Sequence, residues 1–234
     1  MDQTAAVNVG PVVQFLDEFA ALRAQRHVLP CCQIAEFLTA YAARHRELEQ
    51  LRPVEFSIFA ILGVSFDEVR QSAFLAWLLD ARSGHKQGSL FLQSFLSICE
   101  ITIDPGSLEQ YEVTTEHSGP ESRVDIAVWS RGCFLLYIEN KVLAPEGRYQ
   151  LARELRDLRR LGASLHIPAD HQYAVFLTPT GRPPESGDPS AYVPVSYPDV
   201  ARAFRSVLDQ ISSPKVRLVV EDWIATAVSI GGGL

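Results

Sequence analysis

At Tyr111 the chain changes its hydrophobic period, and that change restricts the fold more than any other feature. Three β-rich runs follow in succession: Tyr111–His117, Arg123–Trp129 and Cys133–Asn140. Ser118-Gly119-Pro120 and Ser130-Arg131-Gly132 separate them as turns. The second and third runs can close as a hairpin. Helical periodicity stands on both sides of this block, so the strands must be covered by helices.

Upstream, residues 11–28 carry Val12, Phe15, Leu16, Phe19 and Leu22 at helical spacing, and Pro30 stops them. Residues 32–51 form a second pattern with Ile34, Phe37, Leu38 and Tyr41 on one face. A short apolar segment runs from Phe56 to Val64. Ser65-Phe66-Asp67-Glu68 has the S-x-x-E form of a capping box and should open a helix through Asp80. Leu90–Cys99 reads as another helix.

Downstream, residues 146–161 return to helical period on Leu151, Leu155 and Leu158, with Gly162 as the expected C-cap. Tyr173–Thr178 and Tyr192–Val195 read as strands around a Pro/Gly-rich loop. Helices over 198–212 and 215–229 close the chain, and Gly231-Gly232-Gly233 should fray. The expected fold is α/β, a mixed central sheet of about four to five strands flanked by helices. An N-terminal helical extension, 1–55, should pack on a core of 56–234.

Within the strands lie charges that an apolar sheet does not tolerate for nothing. Asp125 sits between aliphatic residues in Arg123-Val124-Asp125-Ile126-Ala127-Val128-Trp129. Alternation puts Val124, Ile126 and Val128 on one face and Asp125 on the other. Glu139 and Lys141 end the next apolar strand two residues apart, on a shared face. Burying such groups is costly unless they are paired or bind a metal.

This spacing suits Mg²⁺, which takes hard oxygens from one or two carboxylates plus water and phosphate. Asp125 and Glu139 supply oxygens, and the backbone carbonyl of Asn140 offers another. Lys141 can orient or help deprotonate a water, or neutralise charge building on a phosphorane-like transition state. Of 21 basic residues only Lys86, Lys141 and Lys215 are lysines. A lysine therefore asks for a reason, and its compact ammonium suits this task.

Asp125 … Glu139-x-Lys141 resembles the signature of the PD-(D/E)xK nuclease superfamily. The resemblance extends over roughly residues 56–181. It includes Phe59-Ala60-Ile61-Leu62-Gly63-Val64, Asp67-Glu68-Val69-Arg70-Gln71-Ser72 and Leu75-Ala76-Trp77-Leu78-Leu79-Asp80. His85 with Gly88, Phe91-Leu92, Thr115-Glu116, Ile138-Glu139-Asn140-Lys141 and Leu177-Thr178-Pro179 follow in order. These look like one bacterial and phage-associated branch of the superfamily.

The resemblance implies a restriction-endonuclease-like core and a Mg²⁺- or Mn²⁺-dependent nuclease acting on DNA, in defence against foreign DNA or as a phage counterpart. It implies that Asp125, Glu139 and the helical acid Glu68 hold metal, that Lys141 is the catalytic lysine, and that Gln150 is the polar residue of the next helix. Where the family often has His before the serine of its first helix, this chain has Gln71. Gln cannot titrate near neutrality as His can. Gln71 and His85 are expected near substrate. Arg123, Arg153, Arg156 and Arg160 are expected to contact phosphate, the last three as a stripe on the helix after Lys141.

Charge and composition set the outer limits. The 234 residues carry a net charge of -7, which disfavours a general polyanion-coating protein but not a local basic groove. Cys31, Cys32, Cys99 and Cys133 have no zinc-ligand spacing and read as reduced thiols. No apolar run is long enough to span a bilayer, and the start lacks a signal-peptide pattern. A soluble, cytoplasmic protein is expected, with a homodimer or a protein partner engaging the N-terminal helices. The alternatives are an RNA-directed nuclease and a nuclease-fold module that binds without cutting.

Overall fold

The computed structural model describes residues 17–18, 34–42 and 57–232. Contacts divide the chain into two compact units, Met1–Glu55 and Phe56–Leu234. In the first unit, residues 17–18 and 34–42 are helical. The rest of the expected helical pair, 11–28 and 32–51, lies outside the described residues, as does Gly233.

The second unit opens with a single helical turn, α1 (Ile58–Ile61), where the apolar segment from Phe56 stood. Helices α2 (Glu68–Leu79) and α3 (Leu90–Ile98) follow. Strands β1 (Glu112–Ser118), β2 (Arg123–Ser130) and β3 (Phe134–Asn140) follow, β1 antiparallel to β2 and β2 antiparallel to β3. Helix α4 (Gln150–Ser164) carries the chain to β4 (Gln172–Thr178), parallel to β3. Strand β5 (Val193–Ser196) adds in parallel to β4, and α5 (Tyr197–Ser206) and α6 (Pro214–Gly232) complete the domain. The sheet order is β1-β2-β3-β4-β5, a mixed five-stranded sheet with flanking helices.

Every residue of β3 is buried, because helices pack on both faces. On one face Ile126, Val128, Leu136 and Ile138 pack with Leu75, Leu78, Phe91, Phe95, Phe204 and Trp223. On the other, Leu135, Tyr137, Ala174 and Phe176 pack with Leu151 and Leu158 of α4. The central strands are therefore held from above and below.

Three local expectations are corrected. Ser65 does not cap α2. Asp67 does, its Oδ1 accepting from the Arg70 N–H at 3.0 Å. A two-sided capping box instead opens α5, where Ser196 and Asp199 exchange side-chain and backbone bonds around Pro198. Gly162 does not end α4, which continues to Ser164. A Cβ at Gly162 would lie 2.3 Å from the Gln172 amide, so glycine serves close packing. The 198–212 pattern divides into α5 and a 3-10 turn, Leu208–Gln210. Gly231 and Gly232 remain helical.

The face assignment in β2 is also corrected. Val124 packs in the cluster under α4, whereas Ile126 and Val128 join the opposite one. The alternation breaks at Asp125, opposite a stretch of β1 where Glu116 adopts φ 49°. Such a local irregularity re-aims side chains.

Candidate metal and catalytic site

The β2–β3 ladder ends at Ile126 and Ile138. Beyond it the Asp125 Oδ2 takes the place of a ladder carbonyl and accepts from the Asn140 N–H at 2.8 Å. The two strands are thus held together by the very carboxylate that chemistry needs. Glu139 points to the α4 face. Its Oε1 accepts from the Lys141 ammonium at 2.7 Å and from the Gln150 amide at 2.5 Å. Gln150 is fixed in turn, its Oε1 accepting from the Gly147 N–H at 3.2 Å.

Asn140 points the other way and is a clamp. Its amide donates to the Glu68 carbonyl at 3.2 Å and to Ser72 Oγ at 3.0 Å, and Tyr197 donates to its Oδ1 at 2.9 Å. That buried side chain ties the end of β3 to α2 and α5. Sequence periodicity showed only which face it shares with Ile138.

Glu68, freed from capping, crosses to the segment after β3. Its Oε1 accepts from three successive N–H groups, those of Val142, Leu143 and Ala144, at 2.8, 3.0 and 2.9 Å. Successive N–H groups of this kind form an anion-binding concavity. Among the described residues no three His, Cys, Asp or Glu side chains stand close enough to enclose one ion. Glu68 nonetheless contributes to the field that Asp125 feels.

The electrostatics are strained. Burial, then the neighbouring Glu139, push Asp125 up to about 7. Burial, then Glu154, raise Glu139 as well. Burial works against the Lys141 charge, but the Glu139, Asp125 and Glu68 carboxylates together outweigh it and raise the ammonium above its ordinary range.

Glu154 was not foreseen. It is 1% exposed, with Oε2 accepting from Tyr192 at 3.2 Å; it also interacts with Glu139 and Gln150, while its Oε1 and the Oε2 of Glu139 meet no N–H or O–H donor. The signal was available: Glu154 falls three residues after Leu151 and four before Leu158, on the buried stripe.

The donors fit a hard divalent cation. They are oxygens, one of them is buried and unsatisfied, and mutual repulsion disfavours the anionic set without a counter-charge. A cleft of about 290 Å³ lined by Lys141, Leu143, Pro179 and Arg182 adjoins Lys141.

The remaining expected site residues stand elsewhere or are engaged. Gln71 is 1% exposed; its amide donates to the Val64 carbonyl at 2.9 Å and its Oε1 accepts from the Trp223 indole at 2.8 Å. Both ends serve the core, so the expected substrate contact is corrected to a structural role. Gln71→Leu should cost about 1–3 kcal/mol of stability by stranding the Trp223 donor. Thermal melts would read this, with metal affinity unchanged.

His85 is corrected likewise. It is buried edge-on between Trp77 and Phe91, its Nδ1 accepts from the Gln87 N–H, and burial lowers its pKa. Arg123 pairs with Glu116 at 3.2 Å. The stripe on α4 is largely spent on ion pairs. Arg156 pairs with Glu121 at 2.6 Å, and Arg160 with both Glu121 and buried Asp157. Arg153 donates to the Arg148 carbonyl at 2.9 Å.

Residues 56–219 match the PD-(D/E)XK nuclease superfamily, and the chain belongs to that superfamily. Membership points to nuclease activity, and nucleases of this kind typically use divalent metal ions. No curated protein and no solved structure matches the chain. No helix among the described residues is long and apolar enough to cross a membrane.

Proposed function

We propose that the chain is a Mg²⁺- or Mn²⁺-dependent nuclease that hydrolyses phosphodiester bonds of DNA, in the setting of defence against foreign DNA. The observation that carries this reading is the juxtaposition of Asp125, Glu139 and Lys141 at the ends of two paired strands. Two carboxylates are kept there buried and next to other acids, with a cation beside them. A bound metal and a phosphate would relieve such an arrangement.

In this reading Asp125 and Glu139 would hold the metal with the Asn140 carbonyl, while Glu68, expected as a third ligand, is held by the Val142–Ala144 N–H groups and contributes its negative charge from outside the ligand set. The metal supplies Lewis-acid polarisation of the phosphate and lowers the pKa of a water. Gln150 orients Glu139 through its amide. Lys141, protonated, offsets charge that grows on the phosphoryl oxygens as the bond breaks. Its pairing with Glu139 favours this role over that of a base.

Plasmid and linear-DNA cleavage in Mg²⁺ and Mn²⁺ tests the proposal. Wild type should cut, and Asp125→Ala should lose at least about 10²-fold. Equal cleavage by both proteins would remove the assignment. Cutting of RNA alone in a parallel assay would move it to the RNA-directed alternative. Metal-dependent binding without cutting would favour the non-catalytic module.

A further inference from the structure

The segment between Lys141 and α4, residues 142–149, has no regular secondary structure, yet it is fastened at every stage. Glu68 holds its first three N–H groups. Glu146 accepts from Arg182, from the Glu185 and Ser186 N–H groups and from Ser186 Oγ, tying its middle to the 182–186 loop. Gln150 accepts from Gly147 at its end. The segment is a built platform.

What this platform displays is unusual. Tyr149, the N-cap of α4, lies in the left-handed region at φ 57°, ψ 14°, and makes no side-chain cap bond. Tyrosine is disfavoured there, and glycine or asparagine would serve the turn better. The residue is 59% exposed. The Arg148 guanidinium lies 4.9 Å from the ring centroid, and its Nη2 donates to the tyrosine hydroxyl at 3.3 Å. Arg153 donates to the Arg148 carbonyl and steadies the pair from α4. An exposed ring, backed by a cation and held in a costly conformation, stands one residue from Gln150, which touches Glu139. Strain retained at such a point is a mark of function.

From this geometry we infer that Tyr149 and Arg148 form a stacking site for an unpaired base beside the scissile phosphate. The substrate class is then DNA with a single-stranded stretch at the cut. This inference rests on the nuclease reading and sharpens its substrate. A ring face open to solvent stacks on any base, and the neighbouring arginine adds attraction for the backbone phosphate. Bases inside an intact duplex keep their faces against each other and cannot use the site. A duplex must therefore fray or be gapped to engage it.

The test uses the full chain with Ca²⁺ in place of Mg²⁺, a fluorescein-labelled single-stranded dT oligonucleotide and a blunt duplex of the same length. Fluorescence anisotropy should show Tyr149→Ala weakening single-strand binding about tenfold, with duplex binding changed less than about twofold. Tyr149→Phe keeps the ring and should bind as wild type does. Tyr149→Gly guards against a folding artefact. Glycine accepts φ 57°, so its melting temperature should hold or rise while single-strand affinity falls as in Tyr149→Ala. A 2-aminopurine in the strand should be quenched by wild type and by Tyr149→Phe, and not by Tyr149→Ala.

Unchanged single-strand affinity in Tyr149→Ala and Tyr149→Gly overturns the inference, as does an equal loss on both substrates. Either result in a wild-type protein that still cuts DNA leaves the nuclease reading standing. A wild-type protein that neither cuts nor binds nucleic acid overturns both.

Discussion

Replacing Lys141 by methionine should lower phosphodiester turnover by about 10²–10³-fold without weakening Mn²⁺ binding. The two halves of this expectation have separate causes. The ammonium lies 2.7 Å from Glu139 Oε1, on the same carboxylate that a metal would use. Before metal arrives, lysine competes for the carboxylate, and removing it removes a competitor. Metal affinity measured by calorimetry should therefore stay level or rise. Turnover should fall, since the positive charge near the reacting phosphate is lost. Methionine approximates the lysine stem and leaves no large void. Arginine is a poor rescue, because its planar fork cannot occupy the place of a compact ammonium between Glu139 and substrate. A Lys141→Met protein with turnover near wild type would show that Lys141 only neutralises Glu139.

The second large effect concerns stability without metal. Asp125→Asn should stabilise the metal-free protein at pH 8 by about 2–4 kcal/mol while abolishing cleavage. Burial and Glu139 raise Asp125 from the ordinary carboxylate range to about 7. A carboxyl raised on folding binds protons more tightly in the native state than in the unfolded one. Its favourable contribution is complete below the unfolded pKa, near 4, and is lost as pH rises through 7. Glu139 is raised in the same direction, so the two losses compound. Wild type in EDTA should melt progressively lower from pH 5 to pH 8.5, about the range over which these groups ionise.

Asparagine carries no charge and retains an oxygen to accept from the Asn140 N–H. Asp125→Asn should therefore show a shallower slope over the same window. Mg²⁺ should restore wild type at pH 8 and do little for the variant. Parallel pH slopes for the two proteins, measured by thermal melts in EDTA, would show that Asp125 is not under the strain described. Such a trade of stability for function is the usual condition of a charged site in an apolar frame.

The order of elements from α2 to α6 was legible because each has a clear local signature. Short β-rich runs between turn residues mark β1 to β4, and the leucine stripe marks α4. Asp125, Glu139 and Lys141 were legible for a related reason: charge inside an apolar strand is expensive, so its presence is information. Residues whose meaning depends on distant partners were opaque. Gln71 and Trp223 are 152 residues apart in the chain, and nothing local in Gln71 says that its amide closes on an indole. His85 looked like a loop histidine until two aromatic rings were placed around it. Ser65 matched a capping pattern by letter, but α2 begins too late for it. Glu154 was hidden by a habit of reading, in which acids on a helix are taken as its wet face. The arginines of α4 misled in the opposite sense, since the acids that absorb them come from the turn before β2 and from α4 itself.

The two edges of the sheet bear on how copies of this chain could meet. Strand β5 is four residues long and contains Pro194, which has no N–H to offer a neighbour. Strand β1 presents Glu112 and Glu116, and the positive φ of Glu116 kinks its line. Neither border is a good template for adding another strand, and charged, bent or proline-bearing borders are how sheets avoid joining end on. A dimer built to cut both strands of a duplex would therefore have to be assembled from helical or loop surfaces. Its two cutting centres would then be spaced by side-chain packing, with no continuous ladder of backbone bonds to set the interval.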